Sequence, residues 1–334
     1  MSTHEPVSEP AEQVDAHSPL LVLTGPTASG KTQLAVALAR LFDGELIGAD
    51  SVQVYRGFDI GASKPSAAEL LGVPHHLLDV CAPECELDAA DFARLADRAI
   101  ADTRARGKLA IVVGGSGLWL RALLRGLLPL PKVDPALRAR LHAEGEQLGA
   151  PALHARLREI DPLCAQQVHE NDLIRIVRGL EVHAQTGLPL GALRAQHALG
   201  APRYRALRLI LDWPQDVLNE RIRQRTQAMF AEGFVDEVQT LLTRHGRTPR
   251  ALSSVGYREV VRHLCDGEPL AQTIEQVERA TRIYARRQRT WLKNEPGDAW
   301  ATTPDAVLSA EGMTRLAAFL SAPERTAGGA GEIR

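Results

Sequence analysis

Residues 20–41 read LLVLTGPTASGKTQLAVALARL: an apolar run, then Gly25, Pro26, Thr27, Ala28, Ser29, Gly30, Lys31 and Thr32, then a helical pattern. The eight middle residues fit G-x-x-x-x-G-K-[ST] at every fixed position, with a strand before and a helix after, the setting in which this pattern cradles phosphates. Gly25 and Gly30 let the backbone turn so that successive amide N–H groups face an anion, and a helix opening near Lys31 adds the positive end of its dipole. Lys31 brings a mobile positive charge, and the Thr32 hydroxyl is placed to hold Mg²⁺. The expected ligand is a di- or triphosphate. The loop alone does not say what reaction it serves.

Around this stretch, short apolar runs alternate with amphipathic ones: ELIGAD (45–50), HHLLDV (75–80), DAADFARLADRAIADTRARG (88–107), LAIVVGG (109–115) and LWLRALLRG (118–126). Strand and helix in alternation predict a parallel sheet covered by helices on both faces. The three prolines of LLPLPKVDP (127–135) break the pattern, and residues 134 to about 198 hold helical segments with no convincing strand. YRALRLILDW (204–213) restores a strand, followed by PQDVLNERIRQRTQAMFAEGF (214–234) and further helices to about Asn294. The expected fold class is therefore α/β: a phosphate-loop NTPase-like core at 19–130 and 200–322, ending in helices, with an all-helical domain inserted at 131–199. The acidic start, 1–18, and the small-residue end, 323–334, read as disordered tails.

The 334 residues are 45% hydrophobic, yet no apolar run approaches the 18 or so residues of a membrane span, so no membrane partner is expected. The first 18 residues have neither the positive start nor the apolar centre of a signal peptide. The chain holds 39 basic and 41 acidic groups; removing the four acids of residues 1–18 (Glu5, Glu9, Glu12, Asp15) leaves 39 against 37. Distribution of charge then matters more than its sum. Cys81, Cys85, Cys164 and Cys265 are few and scattered, which predicts reduced thiols in a cytoplasmic protein. Cys81 and Cys85 lack a second Cys/His pair at ligand spacing, so no zinc site is expected.

Three features stand near the phosphate loop or carry charge. Asp50 ends the strand ELIGAD, and open parallel sheets bind ligands beyond the carboxyl ends of their strands. It is read either as a turn cap or water-mediated Mg²⁺ contact, or as a general base aimed at a second substrate. In RIRQRTQAM, Arg221 and Arg225 lie four apart on one helix face with Arg223 turned away. They are either solvated surface cations or a lid that neutralises a leaving group. Residues 279–293 hold Arg279, Arg282, Arg286, Arg287, Arg289 and Lys293 without an acid, with Tyr284 and Trp291 between them. Such a segment is either a solvated face or a footprint for a polyanion whose bases stack on the aromatics. Arg138, Arg140, Arg175 and Arg178 add cations to the inserted block. The chain lacks [NT]-K-x-D, a D-x-x-G switch and an apolar strand ending in Asp-Glu, the companions of the loop in nucleotide hydrolases.

The chain resembles the tRNA dimethylallyltransferases, also called tRNA isopentenyltransferases or IPP transferases, over about residues 19–300. The likeness is carried by GPTASGKT (25–32), ADSVQVYRGFDIGASKP (49–65), PHHLLD (74–79), VGGSGLWLRALLRGL (113–127), NDLIRIVRGLEV (171–182), VGYRE (255–259) and ARRQRTWLK (285–293). Seven segments in one order are far more specific than a phosphate loop alone. The resemblance implies transfer of a five-carbon prenyl group from dimethylallyl diphosphate to the exocyclic amino nitrogen of the adenosine just 3′ of the anticodon. Asp50 then matches the family's catalytic Asp, and Arg225 its diphosphate-binding Arg, with Lys31 beside the leaving group and Mg²⁺ on Thr32. The tRNA contacts it implies are Asp50, Ser51, Val52, Gln53, Ser116, Arg138, Ile174, Arg175, Arg178, Ser253, Gly256, Tyr257, Arg258, Arg286, Arg287, Gln288, Arg289, Trp291 and Lys293.

The chain departs from the family's pattern in places. It has Gly61-Ala62-Ser63-Lys64-Pro65 where many members read G-T-A-K-P, Ile174 where Gln is common, and Ser116 in place of Thr. It shows no C-terminal Cys/His zinc finger of the eukaryotic kind, so a bacterial-type enzyme is expected, acting as a monomer. Two other classes share the loop, Asp50 and the arginine helix: a dimethylallyltransferase acting on free adenylate, and a phosphate-loop kinase. Neither has a use for the inserted block or the basic C-terminal segment.

Overall fold

Residues Pro19–Thr24 form β1, whose Leu20 to Thr24 are wholly shielded from water, so it runs through the middle of the sheet rather than along an edge. A computed structural model of the chain describes residues 18–197 and 202–322. The tails expected at 1–18 and 323–334, Ser18 apart, and the boundary expected at 199–200 lie outside the described residues. After β1 come α1 (Lys31–Leu41), β2 (Gly44–Ala49), α2 (Ala67–Leu70), β3 (His75–His76), α3 (Ala89–Ala105), β4 (Leu109–Gly114) and α4 (Gly117–Arg125). The next stretch holds α5 (Pro135–Leu148), α6 (Ala150–Ile160), α7 (Pro162–Gln167), α8 (Leu173–Thr186) and α9 (Leu190–His197). Then follow β5 (Arg205–Leu211), α10 (Gln215–Ala231), α11 (Phe234–His245), a 3₁₀ turn (Arg250–Ser253), α12 (Tyr257–Asp266), α13 (Leu270–Asn294), β6 (Ala299–Thr302), α14 (Pro304–Leu308) and α15 (Ala310–Ser321).

The chain divides into two compact units, residues 1–124 with 202–334, and residues 125–201. In the first, six strands form one parallel sheet in the order β3-β2-β4-β1-β5-β6. Its central strands are continuous apolar runs because both faces are covered, as the alternation in the sequence predicts. Leu21, Leu23, Ile111, Leu209 and Leu211 pack with Leu34 and Leu38 of α1 and with Leu316 of α15. The N–H of Arg203 donates to the carbonyl of Leu124 at 2.9 Å, so the chain leaves this unit and returns to it at neighbouring points. No helix among the described residues is long and apolar enough to cross a membrane.

Two expectations need correction. HHLLDV supplies only the two residues of β3, because Leu77 and Asp79 take left-handed backbone angles (φ 65° and 56°) that end the strand at once. The sequence reading ends the core in C-terminal helices and names no strand after YRALRLILDW. Instead β6 extends the sheet, pairing Arg208 with Ala299 through Leu211 with Thr302. Four residues, AWAT, mostly exposed, carry too short a pattern to announce a strand.

The second unit is helical throughout its described residues and has its own core of Leu141, Leu153, Leu157, Ile176, Val177 and Leu180. Its helices are started by carboxylates: Asp134 accepts from the amides of Ala136 and Leu137 ahead of α5, and Asp172 from that of Arg175 at α8. Glu181 is wholly buried, and the Arg138 guanidinium meets it through two bonds of 2.5 and 2.7 Å, with Arg178 at 3.4 Å.

Candidate active site

The parallel sheet aims the loops after β1, β2, β4 and β5 to one edge, the carboxyl end where α/β sheets bind ligands. The loop after β1 is the phosphate loop. Gly25 approaches β5 so closely that a Cβ would stand 2.7 Å from the carbonyl oxygen of Leu211. Gly30, at φ 86°, opens α1, and Ala28 is held at φ 62°, a left-handed angle that a side chain rarely takes. Such turns allow successive amides to face one anion. Lys31 reaches back across the loop and donates to the carbonyl of Pro26 at 2.7 Å. Burial, with the Arg225 charge acting in the same direction and Asp50 opposing, brings its pKa down to about 7.

Asp50 follows β2 directly. Its Oδ1 accepts from the amides of Val52 (2.9 Å) and Gln53 (3.3 Å), so the turn-cap reading is met. Both bonds fall on one oxygen, which leaves the base reading open as well. The Ser51 amide donates to the Ser116 hydroxyl at 3.0 Å, tying the loop after β2 to the loop after β4.

The arginines of α10 divide as their spacing predicts. Arg221 donates from Nε to the carbonyl of Ala28 at 2.7 Å, with its guanidinium over the Trp213 ring. Trp213 in turn donates to the carbonyl of Ser29 at 3.0 Å. Arg225 reaches the Thr27 hydroxyl from Nη1 at 3.1 Å and the Ser63 hydroxyl from Nε at 2.8 Å. Arg223 points away and pairs with Glu220 at 2.5 Å. Burial lowers the Arg225 pKa while Asp50 raises it.

Between these groups lies a cavity of about 270 Å³, lined by Thr27, Asp50, Ser51, Val52, Gly61, Ala62, Ile222, Arg225, Met229, Val277, Thr281 and Tyr284. Asp50 and Arg225 line it together with an apolar wall of Ile222, Met229 and Val277, and Thr226, Ser253, Ser254, Tyr257 and Arg258 add polar lining. Its volume falls just below the roughly 300–1,000 Å³ of sites for drug-sized ligands, so it suits a small group. A larger, open depression of about 540 Å³ shares Ser253 and Arg258 with it and adds Arg247 and Arg262, but contains no phosphate-loop residue and neither Asp50 nor Arg225. The smaller cavity is the candidate for chemistry.

Several residues expected to touch RNA turn inward instead. Gln288 is 8% exposed: its Oε1 accepts the Thr27 amide at 2.9 Å and its Nε2 donates to the carbonyl of Gly115 at 3.0 Å. It braces two loops from α13. Tyr257 is 1% exposed and gives its hydroxyl to Glu237 at 2.7 Å, and Gly256 beside it is buried as well. Ser116 is buried and serves Ser51. The Trp291 ring lies under the Arg121 guanidinium, 5.2 Å from its centroid, rather than open for stacking. Gln53 donates twice from its amide to the carbonyls of Ala62 (3.0 Å) and Ser63 (3.1 Å). In this structure the polar groups of these residues brace the loops around the cavity.

Other expected contacts stay outward: Ser253, Arg258, Arg286, Arg287 and Lys293 are exposed, and Arg289 is held partly by Asp212 at 2.8 Å. Of the basic segment, Arg282 pairs with Glu278, an acid one turn before it. In the second unit, Ile174 is 75% exposed and Arg175 is exposed next to it. Arg138 and Arg178, expected at the RNA, share the buried Glu181, so their first task is to neutralise it.

Glu237 was not singled out in the sequence, Ser63 stood only within the 61–65 segment, and Tyr284 only among the aromatics of the basic stretch. Glu237 on α11 accepts the amides of Asp59 (3.0 Å), Ile60 (2.6 Å) and Gly61 (3.1 Å), and so shapes the loop that carries Ser63. Such contacts span about 177 residues of chain and leave no local pattern. Tyr284 does interrupt the basic stretch at a helical spacing that faces the core, which was its one visible signal; burial and the Asp50 charge raise its pKa.

Among the described residues no three His, Cys, Asp or Glu side chains are grouped as a metal cage. Thr32 in the first turn of α1 and Asp50 after β2 are the donors on offer. Mg²⁺ keeps several waters and takes one or two protein groups plus substrate phosphates, so this sparse set fits an ion that arrives with a diphosphate.

The family model described as IPP transferase matches residues 53–295. A tRNA dimethylallyltransferase of Anaeromyxobacter sp. strain Fw109-5 is 51% identical over 85% of this chain and 95% of its own length. One of Geobacter sulfurreducens is 44% identical over 87% and 94%. Among solved structures, the full-length tRNA isopentenylpyrophosphate transferase of Bacillus halodurans has a TM-score of 0.65 at 35% identity, covering 91% of this chain and 97% of that one. A eukaryotic dimethylallyltransferase acting on tRNA has a TM-score of 0.76 at 26% identity, covering 93% and 81%. Matched at this identity along nearly the full length of its relatives, the chain belongs to the IPP transferase family.

Proposed function

We infer that this chain is a tRNA dimethylallyltransferase, transferring the dimethylallyl group of dimethylallyl diphosphate to N6 of the adenosine 3′-adjacent to the anticodon. The products are N6-isopentenyladenosine and diphosphate. The observation that carries the reading is the meeting, around one small cavity with an apolar wall, of a phosphate loop, a carboxylate and an arginine in a chain of this family.

The adenine amino group is a poor nucleophile because its lone pair is conjugated with the ring. N6 attacks C1 of the prenyl group, the C1–O bond breaks, and its electron pair leaves with the diphosphate. Asp50 accepts the N6 proton, a contribution of roughly 10² to 10⁴ in rate. The capping bonds of Oδ1 hold the carboxylate in place for this. Loop amides, Lys31 and Arg225 stabilise the charge that grows on the departing oxygens. Thr32 and the diphosphate oxygens would hold Mg²⁺, which would supply further charge neutralisation there. The apolar wall, with Ile222, Met229 and Val277, takes the five carbons and keeps water from the reacting carbon.

The target base must leave its stack, which is least costly in a single-stranded loop. Arg258, Arg286, Arg287 and Lys293 of the α/β unit and Arg175 and Ile174 of the helical unit are the proposed outward contacts to tRNA. The proposed enzyme acts as a monomer, in the cytoplasm where tRNA is found. Incubation with labelled dimethylallyl diphosphate and either an anticodon stem-loop or AMP tests the reading. Label is expected in the stem-loop; label in AMP alone, or in neither, overturns it.

A further inference from the structure

We propose that Ser63 is a positioning residue for Arg225, a neutral hydroxyl that fixes the guanidinium toward the phosphate loop without cancelling its charge. The proposal rests on the reading above, in which Arg225 neutralises the departing diphosphate. Ser63 Oγ accepts Nε–H of Arg225 at 2.8 Å, and Thr27 Oγ1 accepts Nη1–H at 3.1 Å. Among the described residues Arg225 makes no ion pair, whereas Arg223 two positions earlier is neutralised by Glu220. Two hydroxyls on two different loops therefore set the direction of the guanidinium plane and leave its full charge for an anion. A carboxylate in place of Ser63 would hold the arginine more tightly and compete with the substrate.

The loop that presents this hydroxyl is heavily braced. Ser63 sits at φ 46°, a left-handed angle that non-glycine residues keep only where the surroundings impose it. The surroundings are Gln53, whose amide donates to the carbonyls of Ala62 and Ser63; Glu237, which accepts three successive amides at 59–61; and Lys64, which joins Asp59 (2.7 Å), Asp79 (2.5 Å) and the carbonyl of Tyr55 (2.6 Å). None of these groups touches Arg225; Ser63 alone delivers the loop's rigidity to it.

Removing the hydroxyl leaves Nε–H without its acceptor and lets the guanidinium swing, a loss expected to lower kcat about tenfold, the order of one charge-assisted hydrogen bond. The test is a double-mutant cycle on the full-length enzyme: wild type, Ser63→Ala, Arg225→Ala and both together. It is read by kcat and KM for dimethylallyl diphosphate and an anticodon stem-loop, by inhibition with inorganic diphosphate, and by thermal midpoint. Ser63→Gly is added because glycine keeps the left-handed backbone without strain and lacks the hydroxyl. Both Ser63 variants should lower kcat about tenfold and weaken diphosphate inhibition with KM for RNA unchanged. In the Arg225→Ala background the Ser63 change should have no further effect. Normal turnover by Ser63→Gly, or an equal loss with and without Arg225, overturns the proposal while leaving the transferase reading intact. Normal turnover by Arg225→Ala overturns both roles, and absence of transfer by wild type overturns the function itself.

Discussion

Lys31 carries the most telling charge in the site. It lies over the loop on the carbonyl of Pro26, and burial, with the Arg225 charge beside it, lowers its pKa to about 7 from an ordinary 10.5. A lysine with a lowered pKa binds fewer protons folded than unfolded between those values, so its contribution makes the ligand-free protein more stable as pH rises from about 7 toward 10.5. A bound diphosphate favours the ammonium and reverses the shift. Diphosphate binding at pH 8 should therefore take up more protons in wild type than in Lys31→Arg, as calorimetry in buffers of different ionisation enthalpy would measure; equal uptake would show that Lys31 is already charged. For Asp50, whose Oδ1 caps its own turn, Asp50→Asn keeps the shape and removes the base. Transfer should fall roughly 10² to 10⁴-fold, with stem-loop binding largely kept. Wild-type turnover in that variant would remove the base assignment. Asp50, Lys31 and Arg225 were legible because each stands at a fixed offset from a strand end or helix face. For Gln288 and Tyr257 a motif records that the residue matters, not which way it points, and here both bond within the protein.

At the level of elements, the loop at 59–64 connects α11 to the site. Glu237 accepts three successive amides of this loop and the Tyr257 hydroxyl, so four donors depend on one carboxylate. Gly61 is required there because a Cβ would overlap the Phe234 and Tyr257 rings. Glu237→Gln keeps the volume but replaces charge-assisted bonds by weaker ones and turns an amide N–H₂ toward donors. The expected result is a loss of about 1–3 kcal/mol of stability, seen as a lower denaturation midpoint, with faster amide exchange confined first to 59–64. Unchanged exchange in that loop would mean that Lys64 and Gln53 hold it unaided. The elements around it were readable from the sequence: β1 and β4 as continuous apolar runs beside turn signals, and α1, α10 and α13 as long helical stretches. β3 and β6 were not: two and four residues at the sheet's margins bury too little to imprint a pattern. Both exist because a neighbouring strand offers them unpaired backbone groups.

For the whole molecule, net charge is a poor guide and its placement a better one. Arg286, Arg287 and Lys293 are exposed on α13, and binding of tRNA through such cations releases counterions. Affinity for an anticodon stem-loop should fall steeply between 50 and 200 mM salt, measured by fluorescence anisotropy; a flat response would take α13 out of the interface. The division into two units permits a stronger separation of roles. The α/β unit closes on itself where the helical unit departs, with the Arg203 amide on the Leu124 carbonyl, and the helical unit has its own apolar core. Its largest polar burden, the buried Glu181, is neutralised from within by Arg138 and Arg178. Replacing residues 125–201 by a short Gly/Ser linker should leave a cooperatively folding α/β protein that still binds diphosphate, because the phosphate loop, Asp50, Ser63 and Arg225 all lie in the retained residues. Stem-loop affinity should drop at least tenfold and transfer to it with it, since the outward groups of α8 are gone. Unfolding of the shortened chain would show that the units are energetically one body. Undiminished stem-loop binding would assign tRNA recognition to the α/β unit alone.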